Sequence, residues 1–143
     1  MMAYISRLSQ LKKCIEEAPE DSIIITERSL YTDKYVFAKM LYDNGYIEEI
    51  EYSIYLRWFD EFIENKIDSI IYIKTDPTVC LERIGIRNRK GEQSIPLEYL
   101  NSCHEYHENW INTTIIPNKE ISILNGNDFI EINVLVDCIH LIR

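Results

Sequence analysis

Apolar side chains recur along the first 18 residues at Ile5, Leu8, Leu11 and Ile15, the spacing that puts them on one helix face, and Pro19 ends the pattern. A polar turn at 19–21 leads into Ser22, Ile23, Ile24, Ile25 and Thr26, a β-branched run suited to a strand buried on both faces. The run stops at Glu27, Arg28 and Ser29, so charged groups emerge at the carboxyl end of this predicted strand. A helix is predicted over 33–44, with Tyr35, Val36, Met40 and Leu41 at core-facing intervals and Gly45 as its stop. A longer helix over 48–65 repeats aromatics at Tyr52, Tyr55, Trp58, Phe59 and Phe62.

A second buried-strand pattern covers 69–74, and Asp76-Pro77 then opens a helix that runs through Cys80 and Leu81 to Arg83 or slightly beyond. The stretch 87–93 is too hydrophilic for a core and reads as a loop. A helix over 96–110, a third strand over 121–124 and a closing helix over 129–142 complete the chain. Strands separated by helices predict an α/β fold with a parallel sheet and ligands at the carboxyl ends of its strands. No repeat or linker interrupts the pattern, so 1–143 is expected to be a single domain.

Composition narrows the function. At 46% hydrophobic the chain has enough apolar material for a core. A formal net charge of -9 argues against a general nucleic-acid or membrane-surface binder. No apolar run reaches the roughly 20 residues of a spanning helix, and the N-terminus lacks a signal-peptide layout. Cys14, Cys80, Cys103 and Cys138 stand far apart without a C-x-x-C pair, so they read as small core residues in a reducing compartment. The expected location is the cytoplasm, and a mitochondrial one stays open.

Three clusters could carry chemistry. Glu27 and Arg28 combine a carboxylate able to bind magnesium with a guanidinium able to hold a hydroxyl or phosphate; the plain alternative is an ion pair at a strand end. Arg83 and Arg87 share a helix face if that helix extends far enough, and Arg89 follows. On so acidic a chain these three would gather positive charge where phosphates could be clamped, against the alternative of a solvated loop. His104 and His107 have the spacing to share a metal, but no further ligand is placed nearby. The tyrosines between Tyr31 and Tyr55 could stack on bases, yet their helical spacing favours a core or a helix–helix interface.

The order and wording of the segments carry more than any cluster. ITERSLYTDKYVFAKMLY, CLERIGIRNRKGEQSIPLEYL and CHEYHENW, with SRLSQL before them and LNGNDF after, resemble the deoxycytidine/deoxyguanosine kinase branch of the deoxynucleoside kinase family. The resemblance implies transfer of the γ-phosphoryl of ATP, with Mg2+, to the 5′-hydroxyl of deoxycytidine, deoxyadenosine or deoxyguanosine. It makes Glu27 similar to the family's magnesium-holding carboxylate and Arg28 to the arginine near the 5′-hydroxyl. Asp33 matches the aspartate that reads the base edge, with Arg7 as its partner. Arg83, Arg87 and Arg89 match the arginines of the phosphate lid, and Glu92 the residue that binds the deoxyribose 3′-hydroxyl. Asp128 and Phe129 match the loop against the base of the nucleoside triphosphate. The helices over 33–44 and 48–65 match those through which the family forms homodimers.

One element of that chemistry is absent from the sequence. Phosphoryl transfer relies on a backbone cradle and lysine, supplied by G-x-x-x-x-G-K-[ST], and Gly45, Gly85, Gly91 and Gly126 do not form that motif. The resemblance implies that the 143 residues correspond to the family's C-terminal two-thirds. That would be an incomplete P-loop kinase sheet with its first two strands missing. The family's general-base glutamate and a base-pairing glutamine would also lie upstream. Exposed strand edges, marginal stability and no activity of the chain by itself are then expected. The alternatives are a non-catalytic remnant or dimerisation module of the same fold, and a nucleoside monophosphate kinase.

Overall fold

The computed structural model of the chain describes residues 2–63, 67–113 and 120–140. It forms two compact units, 1–63 and 64–143.

The first unit is helical. α1 (Met2–Glu17) is followed by a segment containing no element, and then by a helix in three parts. These are α2 (Leu30–Thr32), a π-helical stretch (Asp33–Ala38) and α3 (Lys39–Asp43). Ser29 starts the helix: its hydroxyl accepts from the Thr32 amide at 3.2 Å, and the Ser29 amide donates back to the Thr32 hydroxyl. Gly45 ends it at φ +73°, donating to the Tyr42 carbonyl while Tyr46 donates to that of Leu41. This pair of bonds is the Schellman pattern, which needs a left-handed residue at that point. α4 (Glu49–Phe62) opens with a reciprocal cap between Glu48 and Glu51. Leu30, Tyr55 and Phe59 form the core, with Leu8 and Leu11 of α1 packed against it.

The second unit holds the sheet. β1 (Ser69–Lys74) and β2 (Glu120–Asn125) pair in parallel, from Ser69 opposite Glu120 to Lys74 opposite Asn125. A parallel pair needs a crossover, which here contains α5 (Pro77–Arg87) and α6 (Leu97–Thr113), packed on each other. α7 (Ile132–His140) closes the chain and buries Cys138. The architecture is α/β, a small parallel sheet with flanking helices.

Several expectations change. The strand predicted over 22–26 enters no ladder among the described residues, and Ile25 is 70% exposed. A β-branched run becomes a strand only when another strand satisfies its backbone, and none does so among the described residues. The helix predicted from 33 starts at Leu30, because Ser29 caps it. α5 continues to Arg87, where Asn88 stops it in a left-handed conformation (φ 45°), so Arg83 and Arg87 do share a face. The closing helix begins at Ile132 rather than 129, leaving Asp128 and Phe129 in a loop. Positions 64 and 65 of the helix predicted over 48–65, and 141 and 142 of the last helix, lie outside the described residues. Of the four cysteines, Cys138 is buried, Cys80 and Cys103 are half-buried, and Cys14 is exposed, off the Leu8/Leu11 face of α1.

Candidate functional site

In the first unit α1 and the start of the three-part helix bring Arg7 and Asp33 together. Arg7 Nη1 donates to Asp33 Oδ1 at 2.5 Å, and the Asp33 side chain is only 15% exposed. The second oxygen, Oδ2, is buried and has no hydrogen-bond partner among the described residues. A buried acceptor left unmade costs about 1–3 kcal/mol, so this oxygen keeps the capacity to accept from a donor that reaches it. Asp33 is also the first residue of the π-helical stretch, a distortion that recurs at functional sites.

Glu27 and Arg28 are both exposed. Arg28 adopts φ +63°, unusual for a residue with a side chain. Its guanidinium lies over the Phe37 ring, 4.7 Å from the centroid. Phe37 was not singled out in the sequence; the π-helical stretch presents it to Arg28, and no periodicity argument anticipates such a turn. Tyr31 and Tyr35 stack on each other, as do Tyr42 and Tyr52, and Tyr31 meets Phe59 edge-on. The tyrosine-rich stretch thus supplies helix–helix packing.

In the second unit Arg83 and Arg87 leave the same face of α5 but do different things. Arg83 donates from Nη1 to the Gly126 carbonyl at 2.6 Å and from Nη2 to the Asn127 carbonyl at 2.8 Å. Arg87 pairs with Glu92, its Nη2 2.6 Å from Oε2. Arg89 is exposed in the turn that follows α5. The loop 125–128 is held from a second side as well: the Asp76 amide donates to Asn127 Oδ1, and Asn127 Nδ2 to Asp76 Oδ2, each at 2.8 Å. Gly126 donates to the Lys74 carbonyl at 2.7 Å. A Cβ on Gly126 would meet Thr75 Oγ1 at 2.1 Å and the Lys74 carbonyl at 3.0 Å, so only glycine fits so close to β1. Asp128 accepts from Asn125 Nδ2 at 3.0 Å, and Phe129 is 91% exposed.

A further cluster escaped the sequence reading. Tyr72 and Lys74, two apart on β1 and hence on one face, both reach Glu108 of α6: the Tyr72 hydroxyl donates at 3.0 Å and the Lys74 ammonium at 2.5 Å. The Lys74 ammonium holds the Glu108 carboxyl below its usual range, with the Tyr72 hydroxyl adding to the effect. Burial, then the bond to Glu108, pushes the Tyr72 phenol well above its ordinary value. His107 stacks on Tyr72, and its Nδ1 lies 2.6 Å from the Cys103 carbonyl. Among the described residues no three of His, Cys, Asp and Glu converge as a metal site, and no helix is long and apolar enough to cross a membrane. The period-two spacing of Tyr72 and Lys74 is visible in the sequence, but the partner lies 34 residues beyond Lys74.

The family model for deoxynucleoside kinase matches residues 1–136, across both units. The probable deoxycytidine kinase of Fowlpox virus (strain NVSL) is 42% identical over 114 residues, 76% of this chain and 48% of that protein. Human deoxycytidine kinase is 40% identical over 111 residues, 74% of this chain and 42% of the enzyme. Human mitochondrial thymidine kinase 2 is 38% identical over 93 residues, 63% of this chain and 35% of the enzyme. The chain therefore spans about half the length of the curated relatives it matches. With that model matching nearly end to end, the chain belongs to the deoxynucleoside kinase family.

Proposed function

We propose that the chain carries the base-reading and phosphate-lid residues of a kinase that transfers the γ-phosphoryl of ATP to the 5′-hydroxyl of deoxycytidine, deoxyadenosine or deoxyguanosine. The observation that carries this reading is Asp33: one oxygen engaged by Arg7, the other buried and free to accept from a base amino group. Cytosine, adenine and guanine each carry an exocyclic amino group able to donate to Oδ2, and thymine carries none. Thymine's O4 would face a carboxylate with no proton between them, and an unpaired buried polar contact of this kind discriminates strongly.

The other roles follow from the same reading. Arg28 holds the 5′-hydroxyl, Glu92 the 3′-hydroxyl, and Asp128 with Phe129 the base of ATP. Arg87 and Arg89 clamp the phosphates, and the Arg87–Glu92 ion pair links the phosphate-binding and sugar-binding groups. Glu27 would hold Mg2+, which supplies charge neutralisation on the transferring phosphates. The two units act as one kinase domain. A homodimer through the 33–44 and 48–65 helices is supported by Ile50, Ile54, Trp58 and Phe62, a four-residue-spaced stripe on α4 exposed at 38–64%.

These 143 residues contain no G-x-x-x-x-G-K-[ST] cradle, so by themselves they transfer no phosphoryl group. The test has two arms on the purified chain. Deoxycytidine binding followed by calorimetry should be present and should drop at least about tenfold in D33N; equal binding by D33N would refute the base-reading role. Radiolabelled ATP should give no deoxycytidine monophosphate above a no-enzyme control, and turnover would refute the second statement.

A further inference from the structure

Arg83 stands where the phosphate lid is expected, yet both of its terminal nitrogens are spent on backbone carbonyls. Nη1 and Nη2 reach two successive carbonyls, Gly126 at 2.6 Å and Asn127 at 2.8 Å, and so span the loop rather than touch it at one point. The same loop is fixed from the start of α5 by the two-way bond between Asp76 and Asn127. Its Gly126 lies against the end of β1 so closely that no side chain fits. A planar guanidinium suits this task, because its fixed fork can serve two acceptors at once, whereas an ammonium acts as a point charge.

We infer that Arg83 is a positioning residue: it staples the loop 125–128 to α5, holding Asp128 and Phe129 in place for the base of ATP rather than clamping its phosphates. This rests on the reading of that loop as the ATP-base site. A consequence separates it from a clamp. α5 carries Arg83 and Arg87 on one face, so the residue that holds the loop and an arginine proposed for the phosphates leave the same helix. Loss of Arg83 then weakens binding of the base itself, with or without phosphates. Loss of a clamp weakens only the phosphorylated ligand.

The experiment compares the whole chain with R83A and R83K by amide NMR. Backbone hydrogen exchange is followed at Asp76, Gly126 and Asn127, and ATP and adenosine are titrated separately. The expected result is exchange faster by about tenfold at these amides in R83A. ATP and adenosine should weaken by the same factor, with R83K intermediate because it keeps the charge but loses the fork. Unchanged exchange, with ATP weakened and adenosine unaffected, would overturn the inference and make Arg83 a phosphate ligand. Should the unsubstituted chain bind neither ligand, the ATP-base reading of the loop fails, and exchange alone then decides: faster exchange upholds the staple, unchanged exchange sinks it. If R83A does not fold, R83K gives the same decision through its exchange and its ATP-to-adenosine ratio.

Discussion

Asp33 shows how a single residue can be legible in part. The resemblance picks it out, with Arg7 as its partner, and the structure joins the two at 2.5 Å. Neither spacing nor composition reveals that Oδ2 is buried without a partner, because that depends on a π-helical register no apolar periodicity encodes. R7A leaves a mostly buried carboxylate with both oxygens unpaired. It should lower stability by about 1.5–3 kcal/mol, read as a shift in urea midpoint with unchanged slope. Gly126 gives a second expectation at this scale. G126A forces a methyl against Thr75 and the Lys74 carbonyl and should cost about 1–3 kcal/mol, measured by the same unfolding curve. An unchanged midpoint in G126A would mean the loop relaxes freely away from β1.

At the scale of elements, the sequence was most readable where an element satisfies its own backbone. The helices are found within a few residues, and their ends shift for local reasons: Ser29 caps early, Asn88 stops late. The 22–26 segment forms no strand because β-branched composition reports suitability for a sheet and not the presence of a neighbour. The clamp between β1 and α6 was invisible for a related reason, since Lys74 and Glu108 meet only after the crossover folds. It carries a pH prediction with a definite sign. Glu108 is depressed below its ordinary 4.5 by Lys74, so the clamp's stabilisation is fully present above that value and is lost as pH falls through the depressed one. The melting midpoint of the chain should therefore fall between about pH 5 and pH 3 more steeply than that of E108Q; parallel curves would show that the clamp adds nothing. The α4 stripe makes a separate prediction. W58E alters an exposed position and should keep the helical circular dichroism while shifting sedimentation from dimer to monomer. A monomeric unsubstituted chain would refute the interface.

For the whole molecule, the α/β class and the family were readable from the sequence, and the family match now spans both units. The residues of the proposed site divide between those units. Arg7 and Asp33 lie in the first, and Arg83, Arg87 and the loop 125–128 lie in the second. β1 and β2 form a two-stranded sheet, and Ile23, Ile24, Ile25, Ile73 and Ile123 are all at least 40% exposed. So much apolar surface and so few paired strands among the described residues predict a low, broad thermal transition for the isolated chain by calorimetry. A sharp melt would contradict this. The central claim, that Asp33 reads a base bearing an amino group, is tested most directly by equilibrium dialysis of the chain against radiolabelled deoxycytidine and thymidine in parallel. Deoxycytidine should be retained at least about tenfold more tightly than thymidine. Equal retention, or a preference for thymidine, would contradict it.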